Sequence, residues 1–292
     1  MPPELRTVAT ARGPVEVGTL GTGPPVLVVH GMPGGADQAL AMGGFLADAG
    51  FAVIAPSRPG YLGTPLSSGA SIDEQADLLD ALLDALGHDR AGLLTWSGGG
   101  PSGYRLAIRH PARVSAIVAA AALSGQFTPG KETLDERLML TTSAGNWLLR
   151  FLAVHMPKTT VKSTLQAEGD LTKDQLRAVT AEALADEDQT ELVLAMANAA
   201  ADHAHRHEGI ANDRAAFAEI ASLELERIAT PTLIVHGSAD ADVPPEHSER
   251  AAATIPGADS VTLDGGTHLA LWVHPEAAAV QERAVALLMH SG

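Results

Sequence analysis

Three side chains have the types and settings that covalent hydrolysis needs: Ser97, Asp240 and His268. Ser97 comes directly after an apolar run at 92–96, which reads as a buried strand. Small residues crowd its C-terminal side, and Tyr104, Leu106, Ala107 and Ile108 then repeat with helical spacing. A strand that becomes a helix through a serine between small residues is a nucleophile elbow. Its turn is so tight that the positions two before and two after the serine must be small. Those positions are Thr95 and Gly99, so the pattern is T-W-S-G-G, and Thr95 departs from the glycine expected there. The competing reading is a Gly-rich phosphate cradle. Neither G-x-x-x-x-G-K-[ST] nor a strand-anchored G-x-G-x-x-G is present to support it.

A serine hydroxyl becomes a nucleophile at neutral pH when a base takes its proton and an acid orients that base. In parallel sheets such groups gather beyond the carboxyl ends of strands. Asp240 lies in the loop after the apolar strand predicted at 232–236, with Asp242 as the rival carboxylate and turn formation as the bland alternative for both. His268 follows a Gly-Gly turn after the strand predicted at 260–263, 28 positions beyond Asp240. His247 sits early in a predicted helix, and His274 and His290 belong to the ends of the terminal one, so none of the three ends a strand. The oxyanion that forms during acyl transfer needs two donors, each worth about 2.7–4 kcal/mol of barrier. The Gly98 amide opens a helix, where N–H groups lack intrahelical partners, and the Met32 amide lies in the Gly-rich loop His30-Gly-Met-Pro-Gly34.

The elements that must hold these groups alternate. Weak strands at 5–10 and 15–20 precede a strong one at 26–30, a helix at 38–49 and a strand at 51–55. Ser71 and Glu74 form a capping box for a helix that Gly87 ends, and a strand at 114–121 follows the serine's helix. Alternation of this kind implies a mainly parallel sheet covered on both faces. It stops near Ser124. Leu134, Leu138, Trp147, Leu148 and Phe151 suggest helix as far as Pro157, Thr172 and Gln175 cap another, and 191–207 continues in helix. The expected division is a core of residues 1–124 and 226–292 with a helical cap inserted at 125–225; the alternative is a separate domain. After 225 the strands return, with helices at 246–254 and 275–289.

Composition narrows the partners. The chain has 292 residues, 46% of them hydrophobic, enough for one large core. Nineteen Lys and Arg against 35 Asp and Glu give −16, which disfavours nucleic acid and anionic membranes. With no cysteine, thiolate catalysis, disulfides and Cys-ligated metals are excluded. The N-terminal residues show no signal-peptide pattern, so a cytoplasmic location is the expectation.

Taken together, these motifs resemble the α/β-hydrolase superfamily over nearly the whole chain outside 125–225. They are H-G-M-P-G at 30–34, R-P-G-Y-L-G-T at 58–64, the Ser97 elbow, D-x-x-V-P at 240–244 and G-T-H at 266–268. The resemblance implies an α/β-hydrolase fold, the nucleophile–acid–base order Ser97, Asp240, His268, and Asp240 rather than Asp242 as the acid. It implies no cofactor and a small-molecule substrate. It does not select that substrate, because one fold hosts many activities. Haloalkane dehalogenases and epoxide hydrolases are set aside because they use an aspartate nucleophile. Proline iminopeptidases resemble the chain more, although Met32 and T-W-S-G-G depart from their motifs.

The expected activity is hydrolysis of small or medium carboxylic esters through an acyl-enzyme. The alternatives are an aminopeptidase or amidase, which needs carboxylates from among Glu168, Glu182, Glu187, Glu191 and Glu208 to bind an amine, and a ligand sensor on the same scaffold. Trp96, Trp147 and Phe151, with Met32, Met139 and Met156, are candidates for an apolar pocket or for plain packing. Arg58 is read as a structural brace, with contact to an acidic substrate as the alternative. His203, His205 and His207 lack the spacing of a metal site, and none is expected.

Overall fold

The computed structural model describes residues 4–130 and 142–291, so the expectations for Leu134, Leu138 and Met139 lie outside the described residues. Eight strands form one sheet: β1 Leu5–Thr10, β2 Gly13–Leu20, β3 Pro25–Val29, β4 Ala52–Pro56, β5 Ala91–Trp96, β6 Val114–Ala120, β7 Thr232–Gly237 and β8 Asp259–Leu263. Their spatial order is β1-β2-β4-β3-β5-β6-β7-β8. β2 pairs antiparallel with β1 and with β4, and every other pairing is parallel.

Alternate residues of the central strands enter two cores. Val26 and Val28 of β3, Leu94 and Trp96 of β5 and Val118 of β6 point into one. Leu27, Val29, Leu93 and Ile117 point into the other. Helices α1 Ala36–Met42, α2 Gly44–Asp48 and the last helix close the first face, whereas α3 Ile72–Leu86 and α4 Gly100–Arg109 close the second. Burial on both faces is why these strands read as unbroken apolar runs. The capping box at Ser71 forms in both directions, and Gly87 ends α3 at φ 76°. The helix expected at 38–49 is two helices, broken at Gly43. A Cβ there would stand 2.7 Å from Val53 Cγ1, so glycine lets the chain lie against β4.

Between β6 and β7 the described residues form α5 Ser143–His155, α6 Pro157–Ala167, α7 Lys173–Ala185, α8 Glu187–Ala200 and α9 His207–Ala218. α10 Glu246–Thr254 and α11 Ala277–His290 follow in the sheet's own layers. Pro157 opens α6 rather than merely ending α5, as its fixed φ and missing N–H favour. Val161, Leu165, Leu176, Leu192 and Met196 of the insertion share a core with β3 and β5. The helix expected through 191–207 stops at Ala200 and restarts at His207, because Arg206 turns inward to reach Gly34 and Asp37. Among the described residues no helix is long and apolar enough to cross a membrane.

The Thr95 departure has a local explanation. Thr95 is fully buried, and the room for it comes from Gly99 and Gly103, where a Cβ would lie 3.1 and 3.0 Å from Thr95 Oγ1. The Thr95 hydroxyl has no hydrogen-bond partner. Thr95→Val keeps the branched shape and removes that unpaired group, so it should stabilise the fold by about 1 kcal/mol. Gly99→Ala should do the reverse, since its Cβ would meet Val29 O at 2.5 Å and His30 O at 2.7 Å. Urea midpoints that moved in the opposite directions would refute this packing account.

Candidate active site

β5 delivers Ser97 at the sheet's carboxyl edge. Trp96 is still extended, at φ −127° and ψ 137°. Ser97 then flips to φ 53°, and a 3-10 turn leads into α4. A non-glycine residue in that region costs about 1–3 kcal/mol and persists only where its surroundings enforce it. The loop after β3 supplies part of the enforcement. A Cβ on Gly31 would lie 2.8 Å from Ser97 Cβ and 2.7 Å from the Trp96 ring, so only glycine lets the loop rest on the elbow. Met32 comes beside Gly98, its Cβ 3.4 Å from where a Gly98 Cβ would be.

Asp240 and His268 meet directly. His268 Nδ1 donates to Asp240 Oδ2 at 2.7 Å. The other oxygen, Oδ1, accepts the backbone N–H groups of Asp242 and Val243 at 2.8 and 2.9 Å, which fixes the carboxylate plane. His236, at the end of β7, stands 3.5 Å behind Asp240 Oδ2 and is itself held by Ser248 Oγ at 2.7 Å and Val243 O at 3.1 Å. Burial keeps His236 below the usual histidine range.

Trp96 ties this pair to the elbow. Its indole N–H donates to His268 O at 3.0 Å, and its ring lies 4.7 Å from the imidazole. Burial opposes charge on His268, but the Asp240 carboxylate, its hydrogen bond, and then Asp242 and Glu168 outweigh it and hold the ring at about 9. Burial also pushes Asp240 up, yet the His268 charge and hydrogen bond bring it below the usual carboxylate range. With Nδ1 committed to Asp240, Nε2 is the nitrogen available to a hydroxyl.

The insertion braces the other side. Arg58 donates to His30 O and Gly31 O, both at 3.0 Å, and forks onto Asp213 of α9 at 2.8 and 2.6 Å. Tyr61 adds a third bond to Asp213 at 2.6 Å. Arg206 reaches Gly34 O and pairs with Asp37 at 2.7 Å. His30 accepts the Arg58 N–H on Nε2 at 2.9 Å and donates from Nδ1 to Gly31 O at 2.7 Å. Burial and the Arg58 charge keep it neutral. The structural reading of Arg58 therefore fits its contacts.

Other residues singled out in the sequence fall elsewhere. Asp242 is exposed, bonded through its backbone to Asp240 rather than through its carboxyl to His268. Trp147 and Phe151 stack on each other at 5.4 Å on the solvent side of α5, 65% and 42% exposed, and Phe151 also meets His155. Trp96 packs under His268 and against Trp272. His203 and His207 face ring to ring at 6.3 Å, while His205 turns to Asp202 at 2.8 Å. Among the described residues, Glu168, Asp242 and His268 are the set of metal-ligand type that converges, with one atom of each within 4.8 Å of the others. Asp213, Arg206 and His236 gave no sequence signal of a role, and nothing distinguished Glu168 from the insertion's other carboxylates.

Residues 24–275 match the family model described as alpha/beta hydrolase fold. The chain belongs to the α/β-hydrolase family. It is 50% identical to an alpha/beta hydrolase fold protein from Nakamurella multipartita over 99% of this chain and 100% of that one, with a TM-score of 0.96. An uncharacterized hydrolase of Bacillus subtilis, YcgS, is 26% identical over 282 residues, 94% of each chain. An esterase from Thermogutta terrifontis shares the fold at 22% identity, with a TM-score of 0.63 over 98% of this chain and 99% of that one. As a member, this protein is a hydrolase, and the open matter is the bond it cleaves.

The Arg58–Asp213 pair is nearly solvent-free on both sides. Asp213→Ala would leave a buried guanidinium uncompensated and should cost about 3–5 kcal/mol, as should Arg58→Ala. The double variant Arg58→Met/Asp213→Leu should lose much less than the sum. Additive losses in chemical unfolding would mean the two groups do not act as a pair.

Proposed function

We propose that the protein hydrolyses carboxylic esters of small to medium size through an acyl-enzyme on Ser97, with Asp240 and His268 completing a triad and residues 125–225 serving as its cap. The observation that carries this reading is the 2.7 Å bond from His268 Nδ1 to Asp240, on a ring that also lies tilted against Trp96, the residue before the serine. His268 Nε2 takes the Ser97 proton as Oγ bonds to the carbonyl carbon. The Gly98 and Met32 amides receive the oxyanion. Collapse breaks the ester bond, the leaving alkoxide takes the proton from His268, and the acyl group stays on Ser97. His268 then deprotonates a water that attacks the acyl carbon, releasing the acid and restoring the hydroxyl. The chemistry needs no cofactor, and a cytoplasmic setting with small-molecule substrates agrees with the composition.

Ser97→Ala should lower kcat/KM on a p-nitrophenyl ester by about four orders of magnitude or more. Unchanged turnover, or a fluorophosphonate label on another residue, would overturn the assignment. An aminoacyl anilide cleaved faster than the ester would move the substrate class to amides.

The pH profile follows from the base. His268 must be neutral to act, and its charged form is favoured up to about 9. Below that point kcat/KM should rise about tenfold per pH unit and level off above it. The same group contributes to fold stability below its unfolded value, and that contribution fades as pH climbs through about 9. An activity plateau already reached at pH 7 would contradict this setting of the base.

A further inference from the structure

One short strip joins the insertion to the acid and base loops. Gly169 bridges Asp240 in antiparallel fashion. Asp170 N–H donates to Ala239 O at 2.8 Å, and the Glu168 carbonyl accepts from His268 N–H at 2.9 Å and Ala241 N–H at 3.4 Å. A Cβ on Gly169 would stand 2.5 Å from Thr267 Cγ2, so the strip lies flat against the residue preceding the base.

These backbone bonds bring the Glu168 side chain to the imidazole. An oxygen of Glu168, an oxygen of Asp242 and a ring nitrogen of His268 all lie within 4.8 Å of one another. Glu168 Oε2 is sealed from solvent and has no hydrogen-bond partner. The remaining groups around the ring are Asp240 on Nδ1, His236 behind Asp240, and the uncharged Trp96 ring. A second carboxyl this close disfavours ionisation of the buried Glu168 carboxyl. Burial and the Asp242 carboxyl push Glu168 well up, against the pull of His268. One proton held between the two would leave the ring facing a single negative charge, whichever oxygen carries it.

We propose that Glu168 and Asp242 work as a single positioning unit for the base, a proton-sharing carboxyl pair, half of it supplied by the insertion, that holds His268 as its cationic partner and sets the pH at which the ring is free to take the Ser97 proton. This rests on His268 being the base of the proposed hydrolysis. Removing either carboxyl alone leaves the other ionised in its place, so the charge facing the ring survives. Removing both takes it away. An opposite charge at this range moves a titration by about 1–3 units, and the exposure of Asp242 favours the lower end.

The test compares the unaltered protein with Glu168→Gln, Asp242→Asn and the double variant. Two readouts are taken: the NMR titration of the His268 ring, assigned by its loss in His268→Gln, and the pH profile of kcat/KM on a p-nitrophenyl ester. The single variants should shift the midpoint by less than about half a unit, and the double variant should lower it by about one unit in both readouts. A double variant that titrates like the unaltered protein, or one whose shift equals the sum of two comparable single shifts, would overturn the shared proton. If the unaltered protein cleaves no ester at any pH, the proposed hydrolysis fails and the NMR titration alone decides the pair. If the double variant does not fold, carboxyl 13C shifts of the unaltered protein decide it: Glu168 protonated at neutral pH supports the pair, and Glu168 ionised overturns it.

Discussion

The site depends on a steric constraint: the chain must turn sharply between β5 and α4, and the residue that turns it is Ser97, at φ 53°. Around that turn the surrounding chain has to approach without side chains in the way. Gly31 rests on Ser97 and Trp96, and Gly99 sits against the carbonyls of Val29 and His30, at separations no Cβ would tolerate. Thr95 is tolerated because Gly99 and Gly103 give up the volume it occupies. The elbow rule is thus met by the sum of small positions around the turn rather than by glycine at each prescribed place.

The insertion is part of the site's framework. On one side Arg206 and Asp213 anchor the loop that carries Met32, through a buried ion pair with Arg58 and a bond to the Gly34 carbonyl. On the other, the strip at 168–170 is hydrogen-bonded to the loops of Asp240 and His268. Buried charge of this kind is costly unless it is paired with good geometry, and the Arg58 fork with a third bond from Tyr61 supplies that geometry. Movement of the insertion would disturb both halves of the site.

Electrostatics around His268 run against simple burial. A solvent-free imidazole should lose its proton easily, yet three carboxyls keep it charged up to about 9. His30, equally buried, goes the other way, because its neighbour is the Arg58 guanidinium and its ring bonds are to backbone groups. The same side chain thus serves as a titrating group in one loop and as a neutral spacer in another, and the sign of the nearest charge decides which.

Much was determined by the amino-acid sequence alone, because the signals are local. Apolar runs marked the strands, Ser71 and Thr172 with their partners three residues on marked helix starts, and residues at strand ends marked Ser97, Asp240 and His268 as the groups to watch. Only the tertiary structure decided that the helix expected at 191–207 breaks so that Arg206 can turn inward, that Trp147 and Phe151 face solvent, and that Asp213 and Glu168 reach loops distant in the chain. A lone aspartate, arginine or glutamate on a helix carries no period and no motif. Its role depends on the charge and the void it meets across the fold, and those exist only once distant segments have packed together.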